Sequence, residues 1–147
     1  MEHIRKRHNV NLLIYHIVCP AKYRRKIFTE GVSETLKQTC LELGTRYEIQ
    51  FIEIGTDEDH VHFLIQTIPS RSVSDTVKII KSITARIIFK EHPEVKKFLW
   101  GGNLWTMGYY VNTVGQYGSL KMITNYVKNQ GIAAYSQIHA SQISLFD

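Results

Sequence analysis

The sequence predicts an α+β domain of the ferredoxin-like type, and three observations carry that expectation. Alternating runs rich in β-branched and aromatic residues occur four times, at 11–18, 47–54, 60–68 and 104–114. Apolar stripes at helical spacing fall at 30–43, between the first and second runs, and at 73–91, between the third and fourth. The resulting order, β-α-β-β-α-β, is the split βαβ pattern with an antiparallel sheet and both long helices on one face. An extra C-terminal helix, 119–130, follows the fourth strand and carries Tyr126.

Each element has a local reason. The first strand, NLLIYHIV, is stopped by Pro20. Basic residues precede it, as in a signal peptide, but His16 interrupts the apolar run and PAKYRRK follows with no small-residue cleavage site, so the stretch reads as a strand. Val32, Leu36, Cys40 and Leu43 form the stripe of the first helix, with Gly44 as the expected stop. YEIQFIEI, the turn GTDED and HVHFLIQTI read as a hairpin. Pro69 and SRSVSD lead into the second helix, whose stripe is Val73, Val77, Ile80, Ile83 and Ile87 and which Pro93 ends. After LWTMGYYVNTV, Gly115 and Gly118 bracket a short connector with the backbone freedom a hinge needs.

At 147 residues the chain is the size of one domain, with a core spanning about 11–131 and a tail at 132–147. Its hydrophobic fraction of 44% and charged fraction of 21% are those of a soluble globular protein. No apolar run approaches the roughly 18 residues of a membrane span, so a cytoplasmic location with no membrane partner is expected. Cys19 and Cys40 have no C-x-x-C spacing and read as buried free thiols in a reducing compartment. The net charge of +5 suits a polyanionic partner, and RKRH near the N-terminus and KYRRK at 22–26 concentrate that charge. Lys22, Tyr23, Arg24 and Arg25 combine cations with a ring, as single-stranded nucleic acid binding requires; a solvated loop is the alternative.

The stretch DEDHVHFLIQ at 57–66 bears the chemistry. On a strand His60, His62 and Leu64 share one face and Val61, Phe63 and Ile65 the other. The more apolar set is expected toward the helices, leaving His60 and His62 on the open face. Two imidazoles side by side are a metal-ligand spacing, or an accident of a half-exposed strand. Asp59 is either a turn residue or a partner that orients one of the imidazoles. In the last helix Tyr126 and Gln130 are at i, i+4 and leave the same side. Together these residues offer two neutral imidazoles, an amide oxygen and a phenol.

HVH after Asp59, YVKNQ at 126–130, HIV-x-x-x-KYRR across 16–25 and LW-x-x-GYYVNTVG at 104–115 are similar to the single-tyrosine HUH transposases of the insertion sequence 200/605 family. The resemblance runs from the first strand to Gly131, with one small departure: many relatives read WCPKYRR where this chain reads CPAKYRR. It implies a metal-dependent endonuclease and strand transferase acting on single-stranded DNA at hairpin-bearing element ends. It further implies that His60, His62 and Gln130 bind one divalent ion, Mg²⁺ or Mn²⁺, and that Tyr126 is the nucleophile. Attack by Tyr126 would give a 5′-phosphotyrosine that a second hydroxyl resolves without ATP. Relatives are homodimers in which the histidine pair of one subunit meets the tyrosine helix of the other, a role that gives Gly115 and Gly118 their meaning.

Three other readings compete. A non-catalytic ferredoxin-like nucleic-acid-binding domain would use Tyr47, Phe51 and the basic loops as a stacking platform. A two-histidine phosphoesterase would need two separated H-x-T/S motifs, and the chain has a single H-x-H. A domesticated relative that processes chromosomal palindromic repeats would share the chemistry but not the mobility.

Overall fold

A computed structural model describes residues 5–6, 9–10, 14–100 and 102–115. Its elements are β1 (Ile14–Pro20), α1 (Glu30–Tyr47), β2 (Gln50–Thr56), β3 (His60–Gln66), α2 (Val73–Glu91), α3 (Pro93–Phe98) and β4 (Tyr110–Gly115). A minimal antiparallel pair, Arg5–Lys6 with Asn9–Val10, lies apart from the main sheet. The four strands pair in the order β2-β3-β1-β4, and every pairing is antiparallel. That is the predicted ferredoxin-like arrangement. The expected helix at 119–130, with the tail at 132–147, lies outside the described residues.

Parity along the strands decides the two faces of the sheet. Val61, Phe63 and Ile65 of β3 and Ile17 and Cys19 of β1 are buried in one core with Val32, Leu36, Cys40 and Leu43 of α1 and Val77, Ile80 and Ile88 of α2. Both helices therefore cover the same face. On the other face Ile14 and Leu64 form a small separate cluster, flanked by Ile52 and Val114. Among the described residues no helix is long and apolar enough to cross a membrane.

The helix starts follow their capping residues: the Thr29 hydroxyl accepts the Val32 N–H and the Ser72 hydroxyl accepts the Asp75 N–H. The ends differ from expectation in instructive ways. Gly44 does not stop α1, which runs one turn further and reverses at Glu48 in the left-handed region (φ 57°). Gly44 is needed for close approach instead, since a Cβ there would lie 2.5 Å from the carbonyl oxygen of Ile49. That extra turn shifts the start of β2 from the expected 47 to Gln50. Pro93 ends α2 and also takes the first position of α3, where its missing N–H costs nothing. In α2 the buried stripe passes through Thr84 and Ile88 rather than Ile83 and Ile87, because the Thr84 hydroxyl both accepts the buried Trp105 indole N–H (3.1 Å) and donates to the Ile80 carbonyl. The expected fourth strand is shorter, starting at Tyr110; residues 104–109 leave the sheet after a single bridge between Ala21 and Trp105.

Candidate active site

The hairpin turn between β2 and β3 delivers the acidic residues, and β3 delivers the imidazoles. The Asp57 N–H donates to the His60 carbonyl (2.9 Å), which closes the turn and folds the Asp57 side chain back over the strand. Asp57 Oδ2 then lies 3.2 Å from Nε2 of His60, and Asp59 Oδ1 lies 3.0 Å from Nδ1 of the same ring. His60 is thus held between two carboxylates. It lies on the face away from the helices, as the strand pattern suggested, but is only 5% exposed and so does not look out into solvent. His62, half-buried, stacks beside it with ring centroids 6.0 Å apart and 24° between the planes. One donor atom each from Asp57, His60 and His62 lie within 4.8 Å of one another.

Two further residues shape this cluster. Gly55 is the cross-strand partner of His62, and a Cβ at Gly55 would fall 2.6 Å from both Nε2 and Cε1 of the imidazole. The ring of His62 lies in the space that a side chain at 55 would fill. From the other neighbouring strand His16 presents its ring edge-on to His62, with centroids 5.7 Å apart. His16 is 4% exposed, and among the described residues its Nε2 has no hydrogen-bond partner.

Burial, reinforced by the neighbouring imidazole of His62, lowers the His16 pKa to about 4. Burial and then His60 lower that of His62, with Asp57 working in the opposite direction. Desolvation disfavours the cationic form, and a neutral imidazole is the form that binds metal. The donor set fits a divalent cation: two nitrogens, a carboxylate oxygen, and Asp59 positioned to fix the tautomer of His60.

The basic turn stands next to this cluster. Pro20 pairs with His60 across the sheet, the Ala21 N–H donates to the Asp59 carbonyl (2.8 Å), and the Phe28 N–H donates to Glu58 (3.1 Å). Lys22–Arg24 form one turn of 3-10 helix in which Tyr23 and Arg24 adopt left-handed φ values of 56° and 52°. Bulky residues rarely take that conformation, and it turns the Tyr23 ring outward to 58% exposure. Lys22 Nζ is 5.3 Å from the Tyr23 ring centroid, whereas the Arg25 guanidinium lies over Phe98. Arg24 and Arg25 are half-buried, so the outermost groups of the turn are Tyr23 and Lys26.

The structure therefore brings together His60, His62, Asp59 and the turn containing Lys22, Tyr23, Arg24 and Arg25. Tyr126, Gln130 and Gly118 lie outside the described residues, and Gly115 is the last residue of β4. Asp57, Gly55 and His16 were not singled out as site residues from sequence. A glycine inside a strand marks a close approach, and that signal was available at Gly55.

The profile of the family described as "Transposase IS200 like" matches residues 9–130. The chain belongs to this family. Membership makes the chain a transposase, with an enzymatic role in processing DNA. It is 32% identical over 118 residues to the ISDra2 transposase TnpA of Deinococcus radiodurans, covering 80% of this chain and 84% of that one. It is 28% identical over 116 residues to the transposase for insertion sequence element IS200 of Salmonella typhimurium, covering 79% and 75%. A crystal structure of a transposase candidate from Deinococcus radiodurans superposes with a TM-score of 0.70 at 31% identity, over 86% of this chain and 97% of that one. A REP-associated tyrosine transposase, solved bound to a REP hairpin, shares the fold at 10% identity, with a TM-score of 0.53 over 86% of this chain and 68% of that one.

Proposed function

We propose that this IS200-like transposase is a metal-dependent single-stranded DNA endonuclease and strand transferase that acts at hairpin-bearing ends. The observation that carries the reading is the preassembled cluster of Asp57, His60 and His62, converging at the start of β3 beside a basic, aromatic turn. His60, His62 and Gln130, with Asp57 as a further oxygen donor, would hold one Mg²⁺ or Mn²⁺. When bound, such an ion neutralises charge on the scissile phosphate and leaves room for its oxygens. Asp59 fixes the ring of His60, and Gly55 and His16 fix that of His62. Lys22, Tyr23, Arg24 and Arg25 hold the DNA strand beside the cluster.

Tyr126 is the nucleophile in this reading. A phenol with its ordinary pKa near 10 is a weak nucleophile at neutral pH, so the reaction depends on electrophilic help at the phosphate. The Tyr126 oxygen forms a bond to phosphorus as the bond to the 3′ oxygen breaks. The phenolic proton is lost to solvent, and the leaving 3′ oxygen takes one up. The 5′-phosphotyrosine conserves the ester, so the 3′-hydroxyl of another strand can displace the tyrosine without ATP. A homodimer in which the tyrosine helix, hinged at Gly115 and Gly118, serves the histidine pair of the second subunit completes the proposal.

The test is a labelled hairpin oligonucleotide incubated with Mn²⁺. Cleavage should leave the label covalently attached to the protein, and Tyr126→Phe should abolish the adduct while hairpin binding persists. An adduct in that variant would place the nucleophile elsewhere. Mixing Tyr126→Phe with His62→Ala chains should restore cleavage if sites are shared, and inactivity despite subunit exchange would exclude sharing.

A further inference from the structure

A groove of about 620 Å³ runs between one side of α2 and the segment at 102–109 that precedes β4. It opens on the helix side of the sheet, on the face opposite His16 and His62. Its size falls within the roughly 300–1,000 Å³ in which small ligands are held. Among the described residues every charged side chain that lines it is a cation: Lys22, Lys78, Lys81 and Arg86. Phe89 and Tyr109 add aromatic surface; Lys81 Nζ lies 5.7 Å from the Tyr109 ring centroid but donates to the carbonyls of Thr106 and Gly108, so Lys22, Lys78 and Arg86 are the cations offered to a ligand.

The charge pattern selects the occupant. A second copy of the chain carries a net charge of +5 and is poorly matched to a cationic groove. The C-terminal segment 116–147 holds Lys121 and Lys128 against the single acid Asp147, so it is poorly matched as well. A polyanion is complementary, and the apolar rings call for one whose bases are unpaired, since a duplex keeps its base faces stacked inside. The groove is also joined to the active site. Lys22 lines it, the Lys22 N–H donates to the Leu104 carbonyl on its wall, and the adjacent Ala21 N–H donates to Asp59. The turn bearing Tyr23 therefore spans from groove to metal cluster.

We infer that this groove is a second nucleic-acid site, which holds one or two unpaired nucleotides of the strand whose scissile phosphate lies at His60 and His62. The inference rests on the strand-transfer reading and adds a place for the flanking single strand. Lysine and arginine take the phosphates, and Phe89 and Tyr109 take the bases.

Lys78 and Arg86 are exposed, so the Lys78→Ala/Arg86→Ala double variant leaves the core intact. Binding of the full chain, in chelator, is measured for a DNA hairpin with and without a short oligo-dT extension. In the unaltered protein the extension should tighten binding by about tenfold or more. In the double variant that gain should fall below about threefold and the salt slope should drop by about 1 to 2, while the plain hairpin binds as before. Photocrosslinks from bromodeoxyuridine in the extension should map to Phe89 or Tyr109. An extension that adds nothing to the unaltered protein, or a double variant that keeps the full gain, overturns the groove and leaves the cleavage reading standing. A double variant with an altered oligomeric state also overturns it, because the groove is then a subunit contact. Failure of the unaltered protein to bind either DNA would remove the strand-transfer reading as well.

Discussion

The two faces of β3 share one backbone and divide its labour. On the helix face Val61, Phe63 and Ile65 are completely buried among aliphatic and aromatic neighbours, and their role is to hold the sheet against α1 and α2. On the other face His60 and His62, joined by His16 from β1, are also withdrawn from water, but among imidazoles and carboxylates. Burial on the first face stabilises the fold. On the second it favours the neutral form of His16 and His62, which suits the proposed binding of a cation at the expense of stability. Adjacent residues of one strand should therefore respond to substitution in different observables.

The sharpest way to break that comparison is to truncate neighbours. His62→Ala should lower cleavage of a hairpin substrate by about a thousandfold or more and abolish Mn²⁺ binding, with the urea midpoint nearly unchanged. Phe63→Ala should do the reverse, lowering stability by about 3–5 kcal/mol while the surviving folded fraction still binds Mn²⁺. If His62→Ala costs as much stability as Phe63→Ala, the second face is simply more core.

A smaller effect is expected at Gly55. A methyl group there meets the His62 ring at 2.6 Å, so the ring must leave the position it holds. Gly55→Ala should weaken Mn²⁺ affinity by about 10- to 100-fold, read by paramagnetic resonance titration, with far-ultraviolet circular dichroism unchanged. Affinity equal to that of the unaltered protein would mean that the ring has another resting place.

The smallest expected effect is a pH dependence. The His16 pKa is lowered to about 4 in the folded protein against 6.5 for the ordinary side chain, so between these values the unfolded chain binds more protons. Stability from this group is complete above pH 6.5 and is lost as pH falls toward 4. In chelator, the urea midpoint should drop between pH 7 and pH 5, and His16→Gln should remove part of that drop. An identical pH profile for the variant would assign the loss to other groups.

Much of this was legible in the sequence because periodicity reports burial. The order of elements, the span of α2 and the parity of β3 follow from which side chains avoid water. The H-x-H pair was legible for the same reason, as two imidazoles side by side on the strand face opposite its apolar set. What escaped was set by contacts between strands. Asp57 reads as a turn residue until the turn is closed onto His60, and His16 reads as a flaw in β1 until antiparallel pairing brings its ring beside His62. Gly44 looked like a stop because glycine commonly is one, whereas here its lack of a side chain admits the Ile49 carbonyl. The segment 104–109 has strand-forming residues, yet Lys81 holds the carbonyls of Thr106 and Gly108 and keeps it off the sheet.

The difference in exposure between Asp57 and His60 has a kinetic consequence. The Asp57 side chain is 56% exposed and that of His60 only 6%, although the two touch. A cation held as proposed would reach the carboxylate of Asp57 from solvent before it reached the rings. Asp57 would then be a landing stage. Substitution there would change how quickly such an ion is captured and surrendered more than how tightly the imidazoles hold it, so the lifetime of a loaded site could be tuned at an exposed residue without disturbing the buried ones.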